Sequence, residues 1–190
     1  MRDLRSKLKK KRLMLNQDEI RDASSKITNL LWGMPELSRS RRLAVYMAVN
    51  GEIDCNWLTQ DAWLRKYAVF APVLRGRRLK FAPLKQDSQL QVNRYGIFEP
   101  KCTPQQLVRP NDLDVVIVPL LAFDSHGNRL GMGAGYYDRS FSFLRARNKW
   151  FHPKLIGVAY EFQRVRRIKL QPWDVPLNVV VTELKVDRFR

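Results

Sequence analysis

The feature that most constrains the fold is an apolar run, residues 114–123, that leads directly into a glycine-rich segment, residues 124–139. The segment reads DSHGNRLGMGAGYYDR and carries four of the nine glycines, Gly127, Gly131, Gly133 and Gly135. A strand that is apolar on both faces suits the centre of a parallel sheet covered by helices, and Pro119 is expected to end it. A strand followed by a glycine loop and a helix can direct backbone N–H groups at a phosphate. The sequence therefore predicts a phosphate-binding loop.

Strand-like and helix-like segments alternate along the rest of the chain. Six segments are typical of strands: residues 43–47, 68–71, 79–82, 114–123, 155–160 and 179–182. About five helices are expected: residues 2–12, a helix capped by Asn16 and Glu19 through Trp32, one capped by Asn56 through Lys66, a short one after Thr103, and residues 137–147. The alternation predicts an α/β fold, a single three-layer domain over residues 1–190 with an open, mostly parallel sheet flanked by helices.

The polar stretch before the apolar run contains an ordered loop, because an aromatic residue, a glycine and a proline punctuate residues 93–100. Such a loop either walls a pocket or crosses the edge of the sheet. Pro72 is expected to end the second strand, and the basic turn at residues 75–78 suggests a hairpin to the third.

The formal net charge of +17 is large for 190 residues and attracts nucleic acid, anionic membrane surfaces or polyanionic small molecules. Residues 2–12 hold seven cations and one acid, with Leu4 and Leu8 at helical spacing. Three interpretations of this basic helix stay open. It is the solvated face of a docking helix, a clamp for phosphates, or a surface that binds RNA.

Cysteine usage and hydropathy bear on the compartment. Cys55 and Cys102 lack CxxC spacing and a nearby histidine, so neither a zinc site nor a redox pair is indicated. No secretory apolar region follows the start, and no apolar run approaches the roughly 20 residues that span a bilayer. We therefore expect a cytoplasmic protein with free thiols and no membrane anchor.

Charged residues near the predicted strand ends are candidates for ligand contacts. Glu52 follows the strand at residues 43–47, and ligands of open α/β sheets bind at the carboxyl ends of strands; an exposed turn residue is the alternative. Asp138 offers a hard oxygen ligand for Mg²⁺, while Arg129 and Arg139 can neutralise phosphate. Together with the glycines they predict a nucleoside triphosphate site, although the segment is neither a Walker A motif nor a GxGxxG fingerprint. A helix cap and a surface cation are the plainer interpretations of Asp138 and Arg139.

Residues 128–139, NRLGMGAGYYDR, resemble the signature of the 5-formyltetrahydrofolate cyclo-ligases, also called methenyltetrahydrofolate synthetases. Further matching segments occur in family order: residues 2–5 with the basic helix, Glu52 in NGEID, residues 95–100 (YGIFEP), 156–160 (IGVAY) and 173–183 (WDVPLNVVVTE). The resemblance implies an ATP- and Mg²⁺-dependent conversion of 5-formyltetrahydrofolate to 5,10-methenyltetrahydrofolate with release of ADP and phosphate. In that chemistry the formyl oxygen attacks the γ-phosphate, N10 closes on the activated carbon, and phosphate leaves. Such steps need charge neutralisation and alignment more than a protein nucleophile.

The resemblance also implies the roles of individual residues. ATP is expected to contact Arg2, Asp3, Leu4, Arg5, Ser6, Arg129, Leu130, Gly131, Met132, Gly133, Ala134, Gly135, Tyr136 and Tyr137. The folate is expected to contact Met47, Glu52, Met132, Gly133, Ala134, Gly135 and Tyr136. Arg129, Tyr136 and Tyr137 are the expected catalytic residues, and Asp138 and Asn178 the expected Mg²⁺ ligands.

The chain departs from the family pattern at two positions. Family members usually have Lys where Met1 stands, so Arg2 is expected to substitute for it. They commonly have Asp where this chain has Asn178; an amide oxygen coordinates Mg²⁺ without adding charge, and Asp174 is a candidate replacement. The implied partners are ATP and 5-formyltetrahydrofolate, with or without a polyglutamate tail, in a monomeric enzyme. Because of the net charge, RNA binding is the alternative function.

Overall fold

The computed structural model describes residues 2–145 and 152–189. The helices are α1 (Arg2–Leu13), α2 (Gln17–Trp32), α3 (Pro35–Ser38), α4 (Asn56–Leu64) and α5 (Tyr136–Ser140). The strands are β1 (Arg42–Ala44), β2 (Ala68–Arg75), β3 (Arg78–Pro83), β4 (Leu90–Val92), β5 (Phe98–Pro100), β6 (Val115–Pro119), β7 (Ala122–Phe123), β8 (Arg129–Leu130), β9 (Lys154–Val158), β10 (Val179–Val181) and β11 (Val186–Arg188). Short 3-10 helices occur at Pro104–Gln106, Pro110–Asp112, Ser142–Arg145 and Glu161–Gln163.

Seven strands form one sheet in the order β11-β10-β9-β6-β1-β2-β3. The five inner strands are parallel, and the edge strands β3 and β11 pair antiparallel to their neighbours. Strand β6 is buried from Val115 to Val118 and ends at Pro119, as its apolar sequence and its proline predict. The open, mostly parallel α/β sheet is therefore confirmed.

Alternation along β6 divides the core into two layers. Val115 and Ile117 pack in one buried cluster with Ile27 of α2 and Leu58 of α4. Val116 and Val118 pack in a second cluster on the opposite face, whose other members include Phe141, after α5, and Leu177. Successive side chains of a strand point to opposite faces, so each face of the sheet has its own cover.

The predicted capping box at the start of α2 is confirmed. In the capping box of α2, Asn16 Oδ1 accepts from the Glu19 N–H at 2.9 Å and Glu19 Oε2 from the Asn16 N–H at 2.8 Å. Helix α1 presents Leu8 and Arg12 to the interior, where Leu8 packs against Leu130 and Ile168.

The expected end of the second strand at Pro72 is wrong. Strand β2 continues to Arg75 because β3 pairs with it from Phe70 to Arg75, whereas β1 pairs with it only as far as Phe70, so that beyond Phe70 its other edge is free of the sheet. The Leu74 N–H, which points to the same side as the nitrogen of Pro72, bonds the Glu99 carboxylate at 3.2 Å instead of a strand. A proline at such an edge sacrifices no ladder hydrogen bond.

Other boundaries differ from the predictions. Strand β1 ends at Ala44, Asn56 is the first residue of α4 rather than its cap, and Leu64 is the last. The loop at residues 93–100 belongs to the β4–β5 hairpin, and β4, β5, β8 and β11 were not predicted; the predicted strand 114–123 is divided into β6 and β7. Helix α5 ends at Ser140 and a 3-10 turn follows to Arg145; residues 146–147 of the predicted helix lie outside the described residues.

Hydropathy excludes one kind of element from the described residues. None of their helices is long and apolar enough to cross a membrane.

Candidate functional site

The glycine loop, residues 131–135, joins β8 to α5. Gly133 and Gly135 have φ values of 103° and 65°, backbone conformations that residues with a side chain rarely adopt. A Cβ on Gly131 or Gly133 would meet nothing within 4 Å, and the Met132 side chain is 53% exposed. Among the backbone hydrogen bonds of the described residues, none is donated by residues 131–135. Their N–H groups are therefore free to bind an anion.

Two arginines support this loop. Arg129, only 6% exposed, donates from Nη2 to Asp138 Oδ1 at 2.6 Å and from Nη1 to the Val175 carbonyl. Burial lowers the pKa of Arg129, and the Asp138 carboxylate opposes that shift. Arg139 donates to the carbonyls of Ala134 and Arg77, each at 2.7 Å. Both guanidinium groups thus hold backbone in place, and their contact with phosphate stays a prediction.

Helix α1 lies against the loop. Arg5 Nε donates to the Gly131 carbonyl at 3.0 Å, and Leu4 packs on the buried cluster that contains Leu130. Asp3 and Ser6 are exposed, and the side chain of Arg2 lies outside the described residues. The two segments that the family resemblance assigns to ATP are therefore neighbours in space.

A cavity of about 470 Å³ opens where the chain leaves β1, and two of the seven residues predicted to bind folate, Met47 and Glu52, line it. Tyr46 and Trp63 contribute further aromatic lining. The β4–β5 hairpin adds Phe98, which is 52% exposed. Residues 93–100 therefore contribute to the pocket wall through Phe98, and they also meet the edge of the sheet, where Glu99 accepts from the Leu74 N–H, so both interpretations of this segment apply.

Glu52 is 9% exposed, so it is not a solvated turn residue. Its Oε2 accepts from the Val49 N–H at 3.1 Å, and its Oε1 lies 3.4 Å from Arg12 Nη2. Burial raises the pKa of Glu52, and the positive charge of Arg12 offsets only a part of that rise. A carboxylate with little hydration is thereby kept beside an apolar and aromatic cavity.

Tyr137 connects this cavity electrostatically to the glycine loop. Burial raises the pKa of Tyr137, the negative charge of Glu52 raises it further, and Arg129 lowers it. Its ring stacks on Phe141, with centroids 6.1 Å apart. The phenol is therefore kept neutral, and charges from both parts of the site act on it.

Tyr136 faces the β4–β5 hairpin, a contact that the sequence did not predict. Its hydroxyl lies 3.2 Å from that of Tyr95 and accepts a hydrogen bond from Arg94. These hydrogen bonds, the one with Tyr95 foremost, lower the pKa of Tyr136. The only sequence signal was Tyr95 in YGIFEP, and that segment gives no indication that Tyr95 contacts Tyr136.

The predicted Mg²⁺ ligands differ in how their oxygens are used. Asp138 Oδ1 accepts from Arg129 and from the Val175 N–H at 3.2 Å, while Oδ2 receives no hydrogen bond from the described residues. Asn178 Oδ1 accepts from the Leu155 N–H at 2.9 Å, and Asp174 Oδ2 from the Gln171 N–H at 2.8 Å. The described residues contain no group of three or more His, Cys, Asp or Glu side chains that could hold a metal. Such residues fit a Mg²⁺ ion only if nucleotide phosphates and water supply most of its ligands.

Three comparisons, with a family model, with related sequences and with solved structures, relate this chain to the same family. The model of the 5-formyltetrahydrofolate cyclo-ligase family matches residues 1–183. The 5-formyltetrahydrofolate cyclo-ligase of Haemophilus influenzae is 35% identical over 177 residues, 92% of each chain. That of Escherichia coli K12 is 32% identical over 184 residues, 94% of this chain and 98% of the other. The solution structure of Aquifex aeolicus 5,10-methenyltetrahydrofolate synthetase superposes with a TM-score of 0.84 at 35% identity, covering 99% of this chain and 92% of that one.

The fold and these matches define the class of protein as an α/β ligase of folate metabolism. The chain belongs to the 5-formyltetrahydrofolate cyclo-ligase family. The resemblance seen in its sequence motifs is thereby confirmed.

Proposed function

We propose that this protein converts 5-formyltetrahydrofolate to 5,10-methenyltetrahydrofolate, with ATP consumed in the form of its Mg²⁺ complex and ADP and phosphate released. The observation that carries the proposal is that α1 contacts both halves of the site. Arg5 bonds the glycine loop at Gly131, and Arg12 lies 3.4 Å from Glu52 in the folate cavity. A phosphoryl transfer between two substrates requires such adjacency.

The cavity suits the pterin end of a folate. A carboxylate is an acceptor with two oxygens, and a pterin presents adjacent N–H donors that Glu52 can bind. Met47, Tyr46 and Phe98 offer apolar and aromatic surface to its rings. The formyl group would then be directed towards Met132 and Tyr136 of the loop, where the γ-phosphate of ATP is proposed to bind.

The chemistry balances without a protein nucleophile. The formyl oxygen forms a bond to the γ-phosphorus while the bond from that phosphorus to the bridging oxygen breaks, which releases ADP. N10 then bonds the formyl carbon, loses its proton, and the carbon–oxygen bond breaks to release phosphate. Free N–H groups of residues 131–135 bind the transferring phosphoryl group, and Tyr136, with its lowered pKa, is placed to hydrogen-bond near the reacting atoms.

Magnesium, when bound, neutralises phosphate charge and aligns the γ-phosphate. Asp138 is the residue that fits it, through the Oδ2 atom that receives no hydrogen bond from the described residues. Asn178 would contribute only with the second lone pair of an oxygen that already accepts from Leu155.

The decisive experiment follows methenyltetrahydrofolate by absorbance with purified protein, 5-formyltetrahydrofolate, ATP and Mg²⁺, and quantifies ADP and phosphate beside it. We expect one ADP and one phosphate per product molecule, and no product without ATP or with the metal chelated. Glu52→Gln should raise KM for the folate by about tenfold, the loss of one charge-assisted hydrogen bond. Glu36→Gln is the matched control, since Glu36 pairs with Arg188 and does not line the cavity. Absence of product under every metal condition would refute the proposal.

One observation favours RNA binding as a second function. The exposed side of α1 carries Lys7, Lys9 and Lys10, and the segment that packs on the helix through Ile168 exposes Arg167 and Lys169. If this basic surface binds RNA, an RNA oligonucleotide should bind tightly at about physiological salt, with affinity falling steeply as salt rises. Lys9→Glu/Lys10→Glu should weaken binding far more than the control Lys66→Glu/Lys101→Glu, which changes charge equally elsewhere. If the two pairs of substitutions lower the RNA affinity equally, RNA binding is a general attraction by net charge and not a property of this surface.

A further inference from the structure

Arg12, near the end of α1, is 1% exposed although it is charged. Its Nε donates to the Asn50 carbonyl at 2.9 Å and its Nη1 to the Leu120 carbonyl at 3.5 Å. Its Nη2 lies 3.4 Å from Glu52 Oε1 and forms no hydrogen bond among the described residues. The guanidinium is thus held at two nitrogens by backbone and presents the third to Glu52.

Stability alone does not account for an arginine at this position. Burying an ion pair carries a desolvation penalty, and well-packed apolar residues often replace such a pair without loss of stability. Arg12 continues the stripe of Leu4 and Leu8 at helical spacing, where a leucine would pack as they do. The charge is best explained by the acid it faces.

The turn that carries Glu52 is built against the end of the helix. Asn50 and Gly51 have φ values of 54° and 71°, and a Cβ on Gly51 would lie 2.6 Å from the Arg12 carbonyl oxygen. The Tyr160 hydroxyl donates to the Gly51 carbonyl at 3.1 Å. The position of Glu52 is therefore coupled to that of α1, the same helix that contacts the glycine loop.

We infer that Arg12 is a positioning residue for folate binding: it keeps Glu52 ionised and oriented towards the cavity without touching the folate itself. The inference rests on the proposed function, because it assigns Arg12 through the role of Glu52 in that site. It also links the two substrates, since a displacement of α1 at the ATP side moves the partner of the folate-binding acid.

Besides burial, the charge of Glu52 raises the pKa of four other titratable groups, which are not expected to titrate between about pH 5 and 8. They are Tyr46 from the end of β1, Cys55 from the following loop, Tyr137 from α5 and Tyr160 after β9. Burial raises the pKa of all four, that of Cys55 to about 12 and that of Tyr160 to about 12. A pH dependence of folate binding between about pH 5 and 8 that disappears in Glu52→Gln therefore reports Glu52 with Arg12 beside it.

The test is a double-mutant cycle with Arg12→Met, Glu52→Gln and the combined variant, read as KM for folate, KM for ATP and the pH profile of each. Arg12→Met should raise the folate KM about tenfold, leave the ATP KM within about twofold, and move the loss of folate affinity to higher pH, since an unpaired buried Glu52 protonates more readily. In the Glu52→Gln background the Arg12 change should add less than about twofold. Arg12→Lys, which retains the charge, should recover a large part of the affinity.

Arg164→Met is the matched control, because Arg164 pairs with Glu161 and Asp187 away from the cavity. Unfolding temperatures identify variants that fail to fold; if Arg12→Met is one, the cycle is run with Arg12→Gln, which removes the charge but keeps N–H donors for the backbone carbonyls. Two results would overturn the inference: independent effects of the Arg12 and Glu52 changes on the folate KM, which multiply in the combined variant, or a wild-type folate KM and pH profile in the variant that removes the Arg12 charge. If the wild-type protein makes no product, the proposed function fails instead. The same cycle is then measured as equilibrium binding of 5-formyltetrahydrofolate, where independent effects or no effect would again overturn the inference.

Discussion

Arg129 donates to Asp138 across 2.6 Å at the foot of the glycine loop, with side chains 6% and 23% exposed. The acid that the family pattern assigns to Mg²⁺ therefore also neutralises a buried cation. Oδ1 accepts hydrogen bonds from the protein, and Oδ2 receives none from the described residues.

Replacing Asp138 separates these two roles. Asp138→Ala should abolish turnover and lower the free energy of unfolding by about 1–3 kcal/mol, since it leaves the buried Arg129 guanidinium without its carboxylate partner. Asp138→Asn keeps an acceptor for Arg129, so it should fold with a smaller loss of stability but still lose turnover. Denaturant titration and the methenyltetrahydrofolate assay measure both effects. Normal turnover in Asp138→Asn would contradict the metal role.

Asn178 offers a test in the opposite direction. Asn178→Asp preserves the oxygen that accepts the Leu155 N–H and adds a negative charge, so the enzyme should stay active and reach half-maximal rate at a lower Mg²⁺ concentration. Asn178→Ala, the control, loses the hydrogen bond and about 1 kcal/mol of stability. An unchanged Mg²⁺ requirement in Asn178→Asp would remove position 178 from the metal site.

Two glycines with similar backbone conformation make a matched pair. Gly51 and Gly76 have φ values of 71° and 58°, but a Cβ at Gly51 would lie 2.6 Å from the Arg12 carbonyl oxygen, and one at Gly76 would meet nothing within 4 Å. Gly76→Ala should cost about 1–2 kcal/mol of stability. Gly51→Ala should cost about 1–3 kcal/mol more, through overpacking, and raise the folate KM. Equal losses of unfolding free energy in the two variants would show that α1 shifts to make room for the added methyl group at position 51.

Asp124 should make stability depend on pH. Burial would raise its pKa, but the hydrogen bonds it accepts, from the Asn128 amide group at 2.9 Å and the Ile168 N–H at 2.9 Å among others, bring the pKa below its ordinary value. Its ionised form therefore stabilises the folded state above the unfolded pKa of about 3.9, and that contribution is lost as pH falls through the folded pKa. Denaturation at pH 6 and pH 3 should show a smaller pH dependence for Asp124→Asn than for the wild type. An equal change in unfolding free energy between pH 6 and pH 3 in both proteins would contradict the assignment of this pH dependence to Asp124.

The sequence alone determined the features whose causes lie within a few residues. The apolar residues of β6 required burial on both faces, and Asn16 with Glu19 specified the start of α2 through hydrogen bonds that span three positions. The glycine loop was recognisable because its backbone conformations need glycine. Family motifs then pointed to Met47 and Glu52, which do line one cavity.

Tertiary structure decided what depends on residues far apart in the chain. Pro72 lies within a strand because β3 pairs with β2 on one side and β1 has already ended on the other, a situation that no local rule for proline takes into account. The bond from Arg5 to Gly131 joins positions 126 apart, and that from Arg12 to the turn before Glu52 joins positions 38 apart. Hydropathy periodicity records that a face is buried but not which charged group it meets. For that reason the sequence identified Arg12 only as one cation of a basic helix, and the tertiary structure showed that Glu52 is its acidic partner.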